Sequence, residues 1–173
     1  MNMSLEIFKK QVLPTKDKLY RFAFRMLRDE DEAKDVVQEV LIKVWNKRDH
    51  INTWQNIEAW CMQITKNQVL DKVKSKRYKL TDQMDEGFDL SDESLGAPDT
   101  ITETNDTMKS ISKLINALPE KQKQVIQLRD IEGFSYKEIG KIMSVDLSQV
   151  KVNLFRARKS VKENLININA YGL

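Results

Sequence analysis

The segment Ser135–Arg158 constrains the fold more than any other part of the chain. It has the pattern of two short helices joined by a tight turn. Ser135 is a good N-cap residue, and Glu138 can complete a capping box with it, while Asp146 can cap the second helix. Each helix also carries apolar residues on one side, which can pack into the corner between the helices: Ile139, Ile142, Val150 and Leu154. The segment therefore predicts a helix-turn-helix.

The other face of the second helix leaves two interpretations open. Corners of two capped helices occur in many α-helical cores that never touch DNA, so this geometry alone does not decide. The exposed side nevertheless offers side chains that read base edges or hold phosphates: Ser148, Gln149, Lys151, Val152, Phe155, Arg156 and Lys159. Five cations in twelve positions favour DNA binding, because a packing helix has no need of them: Lys151, Arg156, Arg158, Lys159 and Lys162.

Residue types that support catalysis or metal binding are scarce in these 173 residues. Cys61 is the only cysteine, which excludes an intrachain disulfide and a cysteine-based zinc site. His50 is the only histidine, which excludes paired histidine ligands and weakens any catalytic triad. We therefore expect no cofactor, no metal and no enzymatic activity. Neither an apolar run of the ~20 residues that span a membrane nor a signal-peptide core is present, so the expected location is cytoplasmic, without membrane insertion.

Charge divides the chain into three blocks. Residues 1–79 and 109–173 each carry a net charge of +6, whereas residues 80–108 carry −9. The acidic block is rich in Asp, Ser and Thr and poor in large apolar residues, which is typical of a flexible linker. Elsewhere Gly and Pro are few, which favours helix. The expected architecture is all-α: a small helical domain at 1–79, a flexible acidic linker at 80–107, and a helix-turn-helix domain at 108–173.

Two predicted helices in the first basic block have informative faces. One ends near Asn46 and buries an apolar stripe, and the residues opposite that stripe share an exposed face: Asp35, Gln38, Glu39 and Ile42. An apolar Ile42 among carboxylates indicates a docking surface, although an ordinary solvated face is the alternative. The other helix runs from about Ile57 to Tyr78, with Gln63, Lys66, Asn67 and Lys74 on its outer side.

The end of that second helix is strongly cationic. Its last turns contain five cations in eight residues, more than the helix dipole requires: Lys72, Lys74, Lys76, Arg77 and Lys79. Aromatic residues near cations suit stacking on unpaired bases combined with phosphate contact. The alternative is that the tryptophans Trp45, Trp54 and Trp60 lie mostly in the core.

Four motifs resemble a known family. The second basic block contains L-P-E-K-Q-K-Q-V-I-Q-L-R-D-I-E-G-F-S-Y-K-E-I-G-K-I-M and V-K-V-N-L-F-R-A-R-K, which closely resemble the promoter-binding domain of bacterial sigma factors. The first block contains D-E-A-K-D-V-V-Q-E-V-L-I-K-V-W and I-E-A-W-C-M-Q-I-T-K-N-Q-V-L-D, which resemble the N-terminal core domain of the same family. The order of these motifs and the two-domain organisation resemble the extracytoplasmic-function (ECF) branch.

The resemblance implies an alternative sigma factor that binds core RNA polymerase, directs it to specific promoters and promotes DNA melting. The implied contacts with the clamp helices of the largest polymerase subunit are Asp35, Gln38, Glu39 and Ile42. The implied minus-10 contacts are His50, Asn52, Trp54, Asn56, Trp60, Gln63, Lys66, Asn67, Lys74 and Arg77. The implied minus-35 contacts are Ser148, Gln149, Lys151, Val152, Asn153, Phe155, Arg156 and Lys159. Further implied partners are the flap region of the polymerase and an anti-sigma factor, with no small-molecule substrate.

The sequence also allows tests of this resemblance. Val152 and Asn153 depart from the family's commoner Ser and Arg, so the DNA sequence that the second domain reads is the least predictable feature.

A linker of 28 residues averages about 30 Å as a relaxed coil and reaches about 95 Å when extended. Because the family's promoter elements lie about 70 Å apart, the linker is predicted to be stretched in the polymerase complex. The alternative, an ordinary helix-turn-helix regulator, predicts tight binding to palindromic DNA by the protein alone.

Overall fold

A computed structural model of the chain describes residues 5–49, 55–83 and 104–171. The regular secondary structure in these ranges is helical throughout, which confirms the expected all-α fold. The chain divides into two compact units, Met1–Ala97 and Pro98–Leu173. No helix in the described ranges is both long enough and apolar enough to cross a membrane.

The first unit is a bundle of helices around one apolar core. Helix α1 (Leu5–Ile7) continues through a π-helical turn (Phe8–Val12) and a 3-10 turn (Leu13–Thr15). Helices α2 (Lys16–Leu27), α3 (Glu30–Asn46) and α4 (Ile57–Gln83) follow and pack on one another. The fully buried apolar side chains at their centre include Leu19, Phe22, Val36, Val40, Val44, Met62 and Val69.

Local signals fix the ends of these helices. Helix α2 ends where Arg28 adopts the left-handed conformation, with φ 56° and ψ 30°. Asp29 then caps α3, because its carboxylate accepts a hydrogen bond of 2.9 Å from the backbone N–H of Glu32. An ion pair between Lys18 and Glu58 connects α2 with the first turn of α4. The bundle therefore sets the orientation of α3 and α4, which carry the predicted polymerase and minus-10 residues.

The second unit packs three shorter helices against one long helix. These are α5 (Thr104–Asn116), α6 (Glu120–Ile126, continued by a π-helical turn at Gln127–Ile131), α7 (Tyr136–Met143) and α8 (Leu147–Tyr171). Helices α5, α6 and α7 all contact α8. Their shared core contains Ile115, Leu118, Val125, Leu128, Ile139, Ile142, Val150, Leu154 and Ala157. The four residues expected at the corner of the helix-turn-helix are thus all buried.

The turn between α7 and α8 has the predicted chemistry. Ser135 and Glu138 form the capping box, with hydrogen bonds of 3.2 Å and 2.7 Å. Helix α7 ends at Ser144, which adopts the left-handed conformation with φ 55° and ψ 46°. Close packing at the turn favours glycine at position 140, because a Cβ there would lie 3.1 Å from the carbonyl oxygen of Val145. The chain therefore reverses direction in a tight helix-turn-helix.

Two helices extend beyond the predicted bounds. Helix α4 continues to Gln83 instead of ending near Tyr78, and α5 begins at Thr104, before the predicted start of the second domain at residue 108. The added turns are mostly polar, so no apolar periodicity marks them in the sequence. Helix therefore enters both ends of the predicted 80–107 linker, and the rest of that linker lies outside the described residues.

Candidate nucleic-acid and polymerase interfaces

The predicted minus-35 residues lie together on α8, on the side away from the core. Val150, Leu154 and Ala157 are buried against the other helices of the unit, which orients the opposite side toward solvent. Seven of the eight predicted residues are exposed, and Asn153 is half-buried. We call the exposed set the α8 face: Ser148, Gln149, Lys151, Val152, Phe155, Arg156 and Lys159.

Two polar side chains in this region serve the helix itself. The Ser148 hydroxyl donates to Asp146 Oδ1 at 2.8 Å, and Asn153 Nδ2 donates to the Gln149 carbonyl at 2.8 Å. Asp146 Oδ1 also accepts a hydrogen bond of 2.8 Å from the Gln149 backbone N–H. The two hydrogen bonds that Asp146 accepts lower the pKa of its carboxylate. The bond from the Gln149 N–H is the larger cause, and the bond from the Ser148 hydroxyl is the smaller. Helix α8 therefore begins with a charged cap, and Ser148 and Asn153 are less available to bases than their exposure suggests.

Arg158 corrects one expectation drawn from the charge pattern. Its guanidinium donates two hydrogen bonds to Asp130, from Nε at 2.9 Å and from Nη2 at 2.5 Å. This carboxylate raises the pKa of Arg158. One of the five cations in α8 therefore has a structural role, which sequence reasoning missed because its partner lies 28 residues away.

The loop that connects α6 with α7 is held by a second arginine. Arg129 lies 4.9 Å from the centre of the Tyr136 ring and donates to the Phe134 carbonyl at 2.8 Å. The backbone of Gly133 has a φ angle of +81° in this loop, a conformation that residues with a Cβ atom rarely adopt. Together with the Arg158–Asp130 pair, these contacts set the position of α7 relative to α8.

The predicted polymerase residues form one exposed face of α3, which we call the α3 face: Asp35, Gln38, Glu39 and Ile42. Ile42 is 54% exposed although the opposite side of α3 is fully packed. The buried amide of Gln68, on α4, lies at one edge of this face. When the side-chain nitrogen of Gln68 faces the carboxylate of Glu39, it donates a hydrogen bond of 3.3 Å to Glu39 Oε2. The side-chain oxygen of Gln68 then accepts a hydrogen bond from Lys43 Nζ. This contact between helices has no signature in the sequence, and it links the α3 face to α4.

The start of α4 carries part of the predicted minus-10 set. His50, Asn52 and Trp54 lie outside the described residues. Asn56 is half-buried, and its Oδ1 accepts a hydrogen bond of 3.0 Å from the Ala59 backbone N–H. Asn56 therefore caps α4, a structural role that the resemblance did not indicate.

Four further minus-10 residues share one side of α4. Trp60 and Gln63 are half-buried, whereas Asn67 and Lys74 are exposed. Their spacings of three, four and seven residues place them in a single row along the helix. Arg77 is exposed near the end of the same helix. The structure thus presents an aromatic residue, two amides and cations in sequence along α4.

Lys66 does not lie where the sequence pattern placed it. It was expected on the outer side of α4, but it is buried, with 7% exposure. Position 66 is four residues after Met62 and three before Val69, both fully buried, so it shares their side of the helix. Burial lowers the pKa of Lys66, and repulsion from Lys74 lowers it further. The stem of Lys66 therefore packs against the core, unlike the exposed Asn67 and Lys74.

The cationic end of α4 is mostly exposed. Lys72 is half-buried, and Lys74, Lys76, Arg77 and Lys79 are exposed. Lys76 Nζ lies 2.6 Å from Glu32 Oε2, so this cation holds the end of α4 to the first turn of α3.

Trp45, on α3, has a role in packing. The centre of its ring lies 5.2 Å from the centre of the Phe8 ring, in an edge-to-face arrangement.

The described residues contain no group of three or more His, Cys, Asp or Glu side chains that could hold a metal ion. Cys61 is buried, and desolvation raises the pKa of its thiol to about 12. Its thiol is therefore protonated at neutral pH and a poor nucleophile.

Both units match described families. Residues 12–78 match Sigma-70 region 2, and residues 108–161 match Sigma-70, region 4. Among proteins of known function, the chain is 27% identical over 157 residues to the ECF RNA polymerase sigma factor SigW of Bacillus subtilis, covering 87% of this chain and 84% of SigW. It is 26% identical over 151 residues to the ECF RNA polymerase sigma factor SigX of the same organism, covering 85% and 77%.

Solved structures give the same relationship. The sigma factor RpoE, in a complex with the anti-sigma factor NepR from Bartonella quintana, superposes with a TM-score of 0.75 and 27% identity over 95% of this chain and 99% of RpoE. CnrH, in complex with the cytosolic domain of CnrY, has the same fold, with a TM-score of 0.68 and 18% identity over 95% and 90%. With both sigma regions matched in order, the chain belongs to the ECF subfamily of bacterial RNA polymerase sigma factors.

Proposed function

We propose that this chain is an alternative sigma factor that binds core RNA polymerase, directs it to specific promoters and promotes DNA melting there. The first unit docks on the polymerase and opens the minus-10 element. The second unit reads the minus-35 element. The chain contributes recognition without catalysis of its own, and it acts in the bacterial cytoplasm, where RNA polymerase works.

The observation that supports this proposal most strongly is the α8 face. Lys151 and Arg156 are exposed and make no hydrogen bond or ion pair with other described residues. The helix that carries them is fixed by the Asp146 cap and by the Arg158–Asp130 pair. A rigid second helix with cations and unpaired side chains toward solvent suits insertion into the major groove.

The α3 face supports the proposed contact with the polymerase clamp helices. An exposed apolar residue surrounded by polar side chains has the anatomy of a protein interface, with an apolar centre and a polar rim. Ile42 is that centre, and Asp35, Gln38 and Glu39 are its rim. The valines on the opposite side of α3 are buried, so this surface is presented on a rigid element. The second unit contacts the flap region in the same proposal.

The row along α4 supports the proposed minus-10 contact. Trp60 offers a ring on which an unpaired base can stack, and Gln63 and Asn67 offer amides that can bond base edges. Lys74 and Arg77, farther along the helix, suit phosphates of the separated strand. Taking a base out of the stack costs a few kcal/mol, which stacking and hydrogen bonds in this row must offset.

Regulation by an anti-sigma factor is part of the proposal. RpoE of Bartonella quintana, which is 27% identical to this chain over 95% of its length, was solved with the anti-sigma factor NepR. An anti-sigma factor that covers the α3 face would prevent polymerase binding directly, so that face is the surface we propose for regulation.

Binding to purified core RNA polymerase tests the proposed function. The wild-type chain should elute with core polymerase in size-exclusion chromatography, and Glu39→Lys should weaken this association about tenfold or more, because a charge is reversed within the interface. Glu163→Lys makes the same change at an exposed position of α8 and should leave core binding unchanged. Failure of the wild-type chain to bind core polymerase would refute the proposal, and unimpaired binding by Glu39→Lys would refute the assignment of the α3 face.

A further inference from the structure

The centre of the α8 face is apolar. Val152 is 45% exposed and Phe155 is 68% exposed, whereas Val150, Leu154 and Ala157 on the other side of the same helix are buried. The two residues are three apart and therefore neighbours on the helix surface. Exposed apolar side chains at adjacent positions contribute little to the fold, which suggests that a ligand covers them.

Charged side chains surround this apolar pair. Arg156 is four residues after Val152, and Lys151 and Lys159 are four residues before and after Phe155, so each cation is a neighbour of the pair on the helix surface; all three are exposed. Ser148 and Asn153, the two small polar neighbours, bond to the helix itself. The cations at the rim suit the phosphates on either side of a groove, and the apolar pair faces the base edges between them.

The base edges of the major groove carry one apolar group, the C5-methyl of thymine. Val152 has no hydrogen-bonding group, so it can distinguish base pairs only through shape and apolar contact. Phe155, but not Val152, also lines a shallow groove of about 450 Å³ beside α8, together with Tyr136, Leu154 and four cations: Lys151, Arg158, Lys159 and Lys162. Val152 and Phe155 are both exposed, so both offer apolar surface on which a methyl group can be removed from water.

We propose that Val152 and Phe155 select thymine in the upstream promoter element by contact with its C5-methyl group. The inference rests on the proposed reading of the minus-35 element by α8, and it adds the chemical feature that is read. Because burying one methyl-sized group contributes about 0.8 kcal/mol, each contacted methyl should strengthen binding about fourfold.

The test uses holoenzyme assembled from the full chain and core RNA polymerase. Promoter fragments with a randomised upstream element are first selected by holoenzyme binding, which identifies the element. Each thymine in it is then replaced by deoxyuridine, which removes the methyl and keeps the base-pairing groups. At one or two positions the substitution should weaken holoenzyme binding about fourfold, and 5-methylcytosine at a cytosine-substituted site should recover part of the loss.

One variant assigns the effect to Val152, and a second variant serves as its control. Val152→Ser removes the methyl groups at an exposed position where Val and Ser have similar helix propensity, so the fold is expected to persist. The Val152→Ser holoenzyme should bind thymine and deoxyuridine promoters within about twofold of each other. Ile166→Ser removes another exposed aliphatic side chain, about 21 Å farther along α8, and should keep the fourfold difference.

The outcomes separate this inference from the proposed function. If selection returns no upstream element, α8 does not read the promoter and both ideas fail. If an element is selected but deoxyuridine binds as tightly as thymine throughout, the methyl inference is overturned while the sigma function stands. An undiminished thymine preference in the Val152→Ser holoenzyme would overturn the inference in the same way.

Discussion

Replacing Arg156 with alanine removes a guanidinium that makes no hydrogen bond or ion pair with other described residues. The substitution should therefore leave the free energy of unfolding nearly unchanged. If Arg156 contacts a phosphate or a guanine in the minus-35 element, its loss should cost about 1–3 kcal/mol of binding. That range corresponds to a reduction of about 5- to 150-fold in promoter affinity.

Arg158 provides a matched control on the same helix. It has the same charge two residues farther on, but its guanidinium is bound to Asp130 inside the unit. Because the two side chains are 50% and 34% exposed, the pair contributes at most about 1 kcal/mol. Arg158→Ala should therefore lower the Tm of the second unit by up to about 4–8 °C, with a smaller effect on promoter binding than Arg156→Ala.

Two measurements together decide this prediction. Thermal unfolding is followed by circular dichroism, and the affinity of each holoenzyme for a promoter fragment is measured at several salt concentrations. A phosphate contact by Arg156 should also reduce the dependence of log affinity on log salt concentration by about one. The reasoning would be refuted if Arg156→Ala lowered the Tm as much as Arg158→Ala, or if Arg156→Ala left promoter affinity unchanged.

Substitutions at four further positions test individual features of the structure. Lys66→Met keeps the packed stem of a buried side chain and removes a partly desolvated charge, so it should maintain or raise the Tm, whereas a lower Tm would show that the charge stabilises the fold. Asn56→Ala removes the α4 cap and should lower the free energy of unfolding by about 1 kcal/mol. Asn56→Asp keeps a capping side chain and should leave that free energy nearly unchanged. Equal Tm values for the two variants would argue against the cap. Gly133→Ala should cost about 1–2 kcal/mol because φ is +81°, with Gly133→Asn less affected; chemical denaturation measures both. Because the folded state lowers the pKa of Asp146, the stability from this cap is present above about pH 4 and is lost as pH falls through the folded-state pKa. Asp146→Asn should therefore make the Tm less dependent on pH between about pH 5 and 3, and an unchanged profile would contradict this assignment.

The helix-turn-helix could be predicted from the sequence because its signals are local. The capping box at Ser135, the cap at Asp146 and the buried positions of α7 and α8 all depend on residues within four positions of one another. The α3 face was predictable for the same reason, since one strong apolar stripe fixes which side of a helix is exposed.

Features that depend on contacts between distant residues could not be predicted. The Arg158–Asp130 pair joins positions 28 apart, and Gln68 reaches Glu39 from another helix. Burial of Lys66 was missed because a lysine gives no apolar signal even where its neighbours Met62 and Val69 do. The polar extensions of α4 and α5 were missed because no apolar periodicity marks them.

Run-off transcription with purified core RNA polymerase tests the central assignment most directly. A genomic promoter library is transcribed with core polymerase alone, with this chain alone, and with both. The sigma assignment predicts discrete transcripts only when both are present, and weak promoter binding by the chain by itself. Tight, specific DNA binding by the chain alone, with no transcript in the presence of core polymerase, would contradict it.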